Sequence, residues 1–178
     1  MKRAKIAGGI LLFAITAYGV ALLAGLEDEA TTVNSVVIDR PPEVVFDYAA
    51  DMRHELEWNP EVQSMAKVTD GPVGRGTRFA AKWKQSEPVI VECTRFDRPR
   101  SWTWVNGGAL AVDIDITLTP QGAGTLLVSR FHARPHGFLK VIFPVFKIMM
   151  AKFEKANMEY LKKAIESHPA EAREEPRR

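Results

Sequence analysis

The sequence predicts an α+β domain: an antiparallel sheet of seven strands, two short helices near its start and one long helix at its end, preceded by a single apolar segment. Three observations carry this prediction. A β-branched stretch runs into a proline-started helix near residues 33–49, strand-like runs separated by turn signals follow from Val62, and a helical apolar period begins only after Arg134 and Pro135.

The first element is the uncharged run Ile6 to Leu26, set between Lys2, Arg3 and Lys5 and the acidic Glu27, Asp28 and Glu29. About 20 apolar residues at 1.5 Å rise match a hydrocarbon core of roughly 30 Å, and such a helix satisfies its own backbone hydrogen bonds in lipid. The run therefore reads as a membrane anchor over 1–26. Its preceding cations place the N-terminus in the cytoplasm and the rest of the chain across the membrane. A cleaved signal peptide is the alternative, with secretion of the remainder, although its apolar core is usually only about 7 to 15 residues long. Residues 27–32 form a polar linker, 33–168 a single domain, and the charged, proline-containing stretch 169–178 a disordered tail.

Within the domain, Val33 to Asp39 reads as the first strand and ends at Arg40, Pro41 and Pro42. Proline at a first helical position is preorganised for helix, and Val44, Val45, Tyr48 and Ala49 follow at helical spacing. A second short helix is expected over Met52 to Trp58, stopped by Asn59 and Pro60. Turn signals at 70–76, 85–88, 97–100, 106–108 and 120–124 then divide an antiparallel meander. Leu110, Val112, Ile114, Ile116 and Leu118 alternate with polar or small residues, so one face is buried and one is wet. Closing the last hairpin with Thr119 opposite Gly124 sets Asp113 against Arg130. The Arg130, His132 and Arg134 row then lies on the outer face as cross-strand ion pairs rather than an acid/base site. Gly137 to Phe143 forms a first helical piece, with Pro144 heading the main helix from Val145 to Ser167. Val145, Ile148, Met149, Phe153, Ala156, Tyr160 and Ala164 make its buried stripe, and Glu154 is assigned to the outer face with Lys155 and Glu159. The segment Gly137 to Met150 is apolar enough to touch lipid, but burial on the sheet is the expectation.

The order strand, two short helices, six strands and long helix resembles the START-like, or Bet v 1-like, helix-grip superfamily (SRPBCC), in particular its polyketide cyclase/dehydrase and lipid-transport group. The resemblance rests on IDRPPEVVFDYAADM at 38–52, EWNPEV at 57–62, GPVGRGTRF at 71–79 and LTPQGAGTLLVSRF at 118–131. It implies a curved sheet gripping the C-terminal helix, with an apolar cavity between them. On that implication Trp58, Phe79, Trp83, Trp102, Trp104, Ile114, Met149 and Phe153 are the candidate ligand-lining residues. Read from the pattern alone, the tryptophans are equally an aromatic core. A flexible Met at the wall suits an adaptable pocket.

Composition narrows the remaining classes. The net charge of +2 gives no footprint for nucleic acid. His54, His132, His136, His168 and the single Cys93 show no metal-ligand spacing, so no metal is expected. No phosphate loop opens a helix after a strand, and no cofactor is expected. His54 and Glu57 beside Trp58 are the nearest polar constellation, and they read as an exposed helix face. The function expected is membrane-anchored binding or transport of a hydrophobic small molecule, with membrane lipid as a partner. An enzyme of the cyclase, aromatase or dehydrase kind, or a non-catalytic partner-binding module, is the alternative.

Overall fold

The computed structural model describes residues 15–16, 18–19, 29–84 and 86–168. Apart from those four early positions, the expected membrane segment lies outside the described residues, as does the expected tail. Among the described residues no helix is long and apolar enough to cross a membrane.

Strand β1 (Ala30–Ile38) is followed by helix α1 (Pro42–Ala49), a 3₁₀ turn (Met52–His54) and the short helix α2 (Glu55–Trp58). Six strands follow: β2 (Val62–Lys67), β3 (Arg78–Trp83), β4 (Val89–Asp97), β5 (Ser101–Asn106), β6 (Leu110–Gln121) and β7 (Gly124–Pro135). The long helix α3 (Leu139–Ser167) closes the domain. The sheet is antiparallel throughout, in the order β1-β7-β6-β5-β4-β3-β2. This is the helix-grip arrangement, with a long helix lying across a sheet whose first strand has been carried to the edge beside the last.

Local chemistry accounts for the joints. Pro41 takes an extended conformation and Pro42 opens α1. The Asp51 carboxylate accepts the Arg53 amide at 3.0 Å and starts the 3₁₀ turn. Asn59 leaves helical dihedrals at the end of α2, and its side-chain oxygen accepts the Glu61 amide at 3.0 Å. β1 begins at Ala30, earlier than the β-branched run suggests, because Ala30, Thr31 and Thr32 pair with Ala133, His132 and Phe131 of β7.

Two expectations need correction. The β6–β7 hairpin closes with Gln121 opposite Gly124 and Thr119 opposite Leu126, so Asp113 faces His132 and Asp115 faces Arg130. The tight turn is made possible by Gly122, whose φ of 60° lies in the left-handed region. The second correction concerns α3, which is continuous through Pro144 and buries Phe143, Met150, Met158, Leu161 and Ile165. Val145, Ile148, Met149, Phe153 and Tyr160 are exposed instead. The sequence offers two apolar stripes in the first half of the helix but only one strong stripe, Met158, Leu161 and Ile165, in the second. A rigid helix carries the phase of that second half back to its start.

The core falls into two clusters along α3. The larger joins Ile38, Phe46, Phe79, Trp102, Trp104 and Leu127 to Met158, Leu161 and Ile165. The smaller joins Val112, Phe131 and Ala133 to Phe143 and Met150, and Ile114 packs against both. The C-terminal end of α3 is also tied to the chain leaving β1. Glu166 accepts the Asp39 amide at 2.8 Å, Arg40 donates to the Glu166 carbonyl, and Lys162 donates to the Val37 carbonyl.

Candidate site at the seam beneath the long helix

The eight candidate lining residues separate into three groups. Phe79, Trp102 and Trp104 are fully buried core: Trp104 meets Phe79 edge-on at 5.4 Å between ring centroids, and Trp102 meets Phe46 in the same way at 4.9 Å. Trp58, Trp83 and Ile114 are half-buried and pack against that core. Met149 and Phe153 do not form the inner wall; each is 41 % exposed, on the flank of α3 turned away from the sheet. Their displacement follows from the helix phase already described.

The inward stripe of α3 is interrupted between its two halves. Counting in steps of three and four from Phe143 through Met150 to Met158, Leu161 and Ile165, the position between Met150 and Met158 is Glu154. The sequence pattern assigns this residue to the outer face; the structure turns it partly inward, toward Glu55 of α2. Glu55 accepts a long hydrogen bond from the Asn59 side-chain amide at 3.4 Å and another from the Trp83 indole. Both carboxyls keep only a partial opening to solvent.

This surrounding sets their acidity. Burial pushes the Glu55 carboxyl up to about 7, against the downward pull of Asn59 and Trp83. Burial, and then the charge of Glu55, push Glu154 up to about 7 as well. Two interacting carboxyls that titrate near neutrality tend to divide the roles, one holding a proton while the other is ionised. Chemically, such a pair donates a hydrogen bond to a carbonyl or hydroxyl, and it can act as acid and base together. No regularity in the sequence pairs α2 with the middle of α3, so this constellation was not readable there.

Other polar groups are accounted for elsewhere. The Tyr48 hydroxyl donates to Glu57 at 2.7 Å, and the His54 ring, stacked on Tyr48 at 4.3 Å, bonds the Tyr48 carbonyl at 2.8 Å. Burial first, then Glu57, hold the Tyr48 phenol well above its usual range. With His168 tilted against Tyr48, this group caps the C-terminal end of α3 rather than the seam. On the outer face of the sheet Arg134 pairs with Asp113 at 2.7 Å, Arg95 with Asp115 at 3.4 Å, and His132 lies 3.3 Å from Glu29. Among the described residues no three His, Cys, Asp or Glu side chains gather as a metal site.

Two surface depressions flank the first half of α3. One is lined by Gly108, Ala109, His136, Phe138 and Ile142, and the other by Tyr18, Ile142, Val145, Phe146 and Met149. The seam thus runs from apolar, open ground at the start of α3 to a polar pair at its middle and a filled core at its end.

A family model described as "Polyketide cyclase / dehydrase and lipid transport" matches residues 29–166, well over half of the chain. No curated protein matches the sequence. Among solved structures, the chain is similar to Ara h 8.0201, with a TM-score of 0.60, 17% identity, and coverage of 79% of this chain and 99% of that one. It is also similar to TTHA0849 from Thermus thermophilus, with a TM-score of 0.65, 18% identity, and coverage of 76% and 97% respectively. At such identities the likeness is one of fold.

Proposed function

The chain belongs to the polyketide cyclase/dehydrase and lipid-transport family, and we propose that it takes up a hydrophobic small molecule of lipid, isoprenoid or polyketide-like kind in the seam between the sheet and α3. The observation that carries this reading is the interruption of the inward stripe at Glu154, which separates the two core clusters and leaves half-buried Trp83 beside a carboxyl pair. Apolar burial at roughly 25 cal/mol per Å² supplies the affinity, and Glu55, Glu154, Asn59 and Trp83 orient a polar head group. The run Ile6 to Leu26 anchors the domain, with its N-terminus cytoplasmic and the domain on the extracytoplasmic side, where membrane lipid is both neighbour and source.

The test is uptake of a fluorescent fatty acid by the full-length protein. Trp83→Ala and Ile114→Ala, both at half-buried positions along the seam, should each weaken uptake severalfold. Unchanged uptake in both would remove the seam from consideration.

The carboxyl pair favours one second reading, a dehydrase. A protonated carboxyl gives its proton to a leaving hydroxyl as the C–O bond breaks, and the ionised partner takes the proton from the adjacent carbon. The products are an alkene and water. Compounds extracted from wild type and from Glu154→Gln would then differ in mass by one water. Identical masses leave the carrier reading alone.

A further inference from the structure

Asn34 interrupts the inward row of β1, where Ala30, Thr32, Val36 and Ile38 share its face, and its side-chain amide nitrogen is buried with no acceptor among the described residues. Ser129 interrupts the inward row of β7 between Leu127 and Phe131, is only 2 % exposed, and stands directly opposite Asn34. Cross-strand neighbours on one face bring their Cβ atoms within about 4.5–5.5 Å, so the two side chains make one polar spot in the wall beneath α3.

Two bonds fix the level of this spot along the helix. Lys162 donates to the Val37 carbonyl and Glu166 accepts the Asp39 amide, so one helical turn keeps step with two strand residues. Glu154 precedes Lys162 by about 12 Å of helix, which corresponds to roughly three to four strand residues before Val37. That point is Asn34. The polar interruptions of α3, β1 and β7 therefore fall at one level, with Phe131, Phe143 and Met150 on one side and Val36, Leu127 and Met158 on the other.

We propose that Asn34 and Ser129 bind a neutral carbonyl oxygen of the ligand, on the β1–β7 side of the seam. This rests on the uptake reading and narrows its ligand to a hydrophobic molecule carrying a ketone, ester or amide. The amide nitrogen and the rotatable hydroxyl are both donors, and a buried donor without an acceptor costs free energy that an incoming carbonyl recovers and a bare hydrocarbon does not. A carboxylate is the poorer guest, because the titratable group at the same level, Glu154, is itself an acid.

The test is equilibrium dialysis of the full-length protein in dodecylmaltoside micelles against 2-undecanone and, separately, against undecane, over a protein-free micelle blank. Asn34→Leu should weaken retention of the ketone about fivefold, the factor that one hydrogen bond is worth, and leave retention of the alkane unchanged. The infrared stretch of a ¹³C-labelled carbonyl should lie lower on the wild type than in micelles and return to the micelle value in the variant. Ser129→Ala, judged by the same two readouts, is the second variant should Asn34→Leu fail to fold. If both probes bind but each variant treats them alike, or if the carbonyl stretch does not move, Asn34 serves only an internal water and the proposal falls while the uptake reading stands. If neither probe binds the wild type, both fall.

Discussion

Glu154 stands where the helix period asks for an apolar side chain, and its acidity reports that placement. Its carboxyl rises from the ordinary 4.5 to about 7 through burial and the nearby Glu55. Between those values the folded chain holds more protons than the unfolded one, so stability falls as pH rises through that window. The loss is complete above about 7 and absent below the ordinary carboxylate range. Glu154→Gln should therefore raise the urea midpoint at about pH 8 and leave it nearly unchanged at about pH 4. An equal shift at both values would mean that packing, not ionisation, governs the position. Nothing local distinguishes Glu154 from Glu159 in the sequence, because both sit among lysines on a charged stretch of helix. Only the arrival of α2 from far along the chain makes one of them part of a site. Trp83 differs, because its face is a local matter: strand alternation sets it on the same side of β3 as Phe79 and Ala81, which lie four and two residues before it.

At the level of elements, the strands were readable and the helix phase was not. A strand has two faces, and a shift of one residue exchanges them all, so alternation in β6 leaves a single solution. A helix apolar around most of its circumference leaves several, and the choice is made by Leu161 and Ile165 at the far end of α3. The hairpin register turned on Gly122 rather than on the alternation, and the sequence pattern places it two residues away. Its first β7 residue, Gly124, makes a contact that no pattern reveals. A Cβ there would lie 2.5 Å from the Ile38 carbonyl oxygen and 3.4 Å from the Asp39 Cα. Backbone, not a flexible side chain, must yield. Gly124→Ala should accordingly cost about 1–3 kcal/mol, seen as a lowered denaturation midpoint; an unchanged midpoint would show that the end of β1 can move aside.

For the molecule as a whole, the order of turn signals was enough to reach the architecture, whereas the seam is assembled from α2, β3 and α3 and exists only after folding. Cys93 offers a probe of that folded body. It is fully buried, and burial pushes its thiol up to about 11. The thiolate needed for reaction is thus scarce and enclosed. Labelling by a thiol reagent at neutral pH should track global unfolding, and rapid labelling of the native protein would reveal a larger internal opening than the packing implies. The seam has a natural way to widen. The end of α3 is fastened by Glu166, Lys162, Leu161 and Ile165, while its beginning rests on the smaller cluster. The helix is therefore a cantilever. Val145 stands about 30 Å from Ile165 along the axis and Glu154 about 16 Å, so a tilt of about ten degrees about the fastened end moves them about 5 Å and 3 Å. One rotation then parts the apolar mouth most and the carboxyl pair least, with no backbone hydrogen bond of the helix broken.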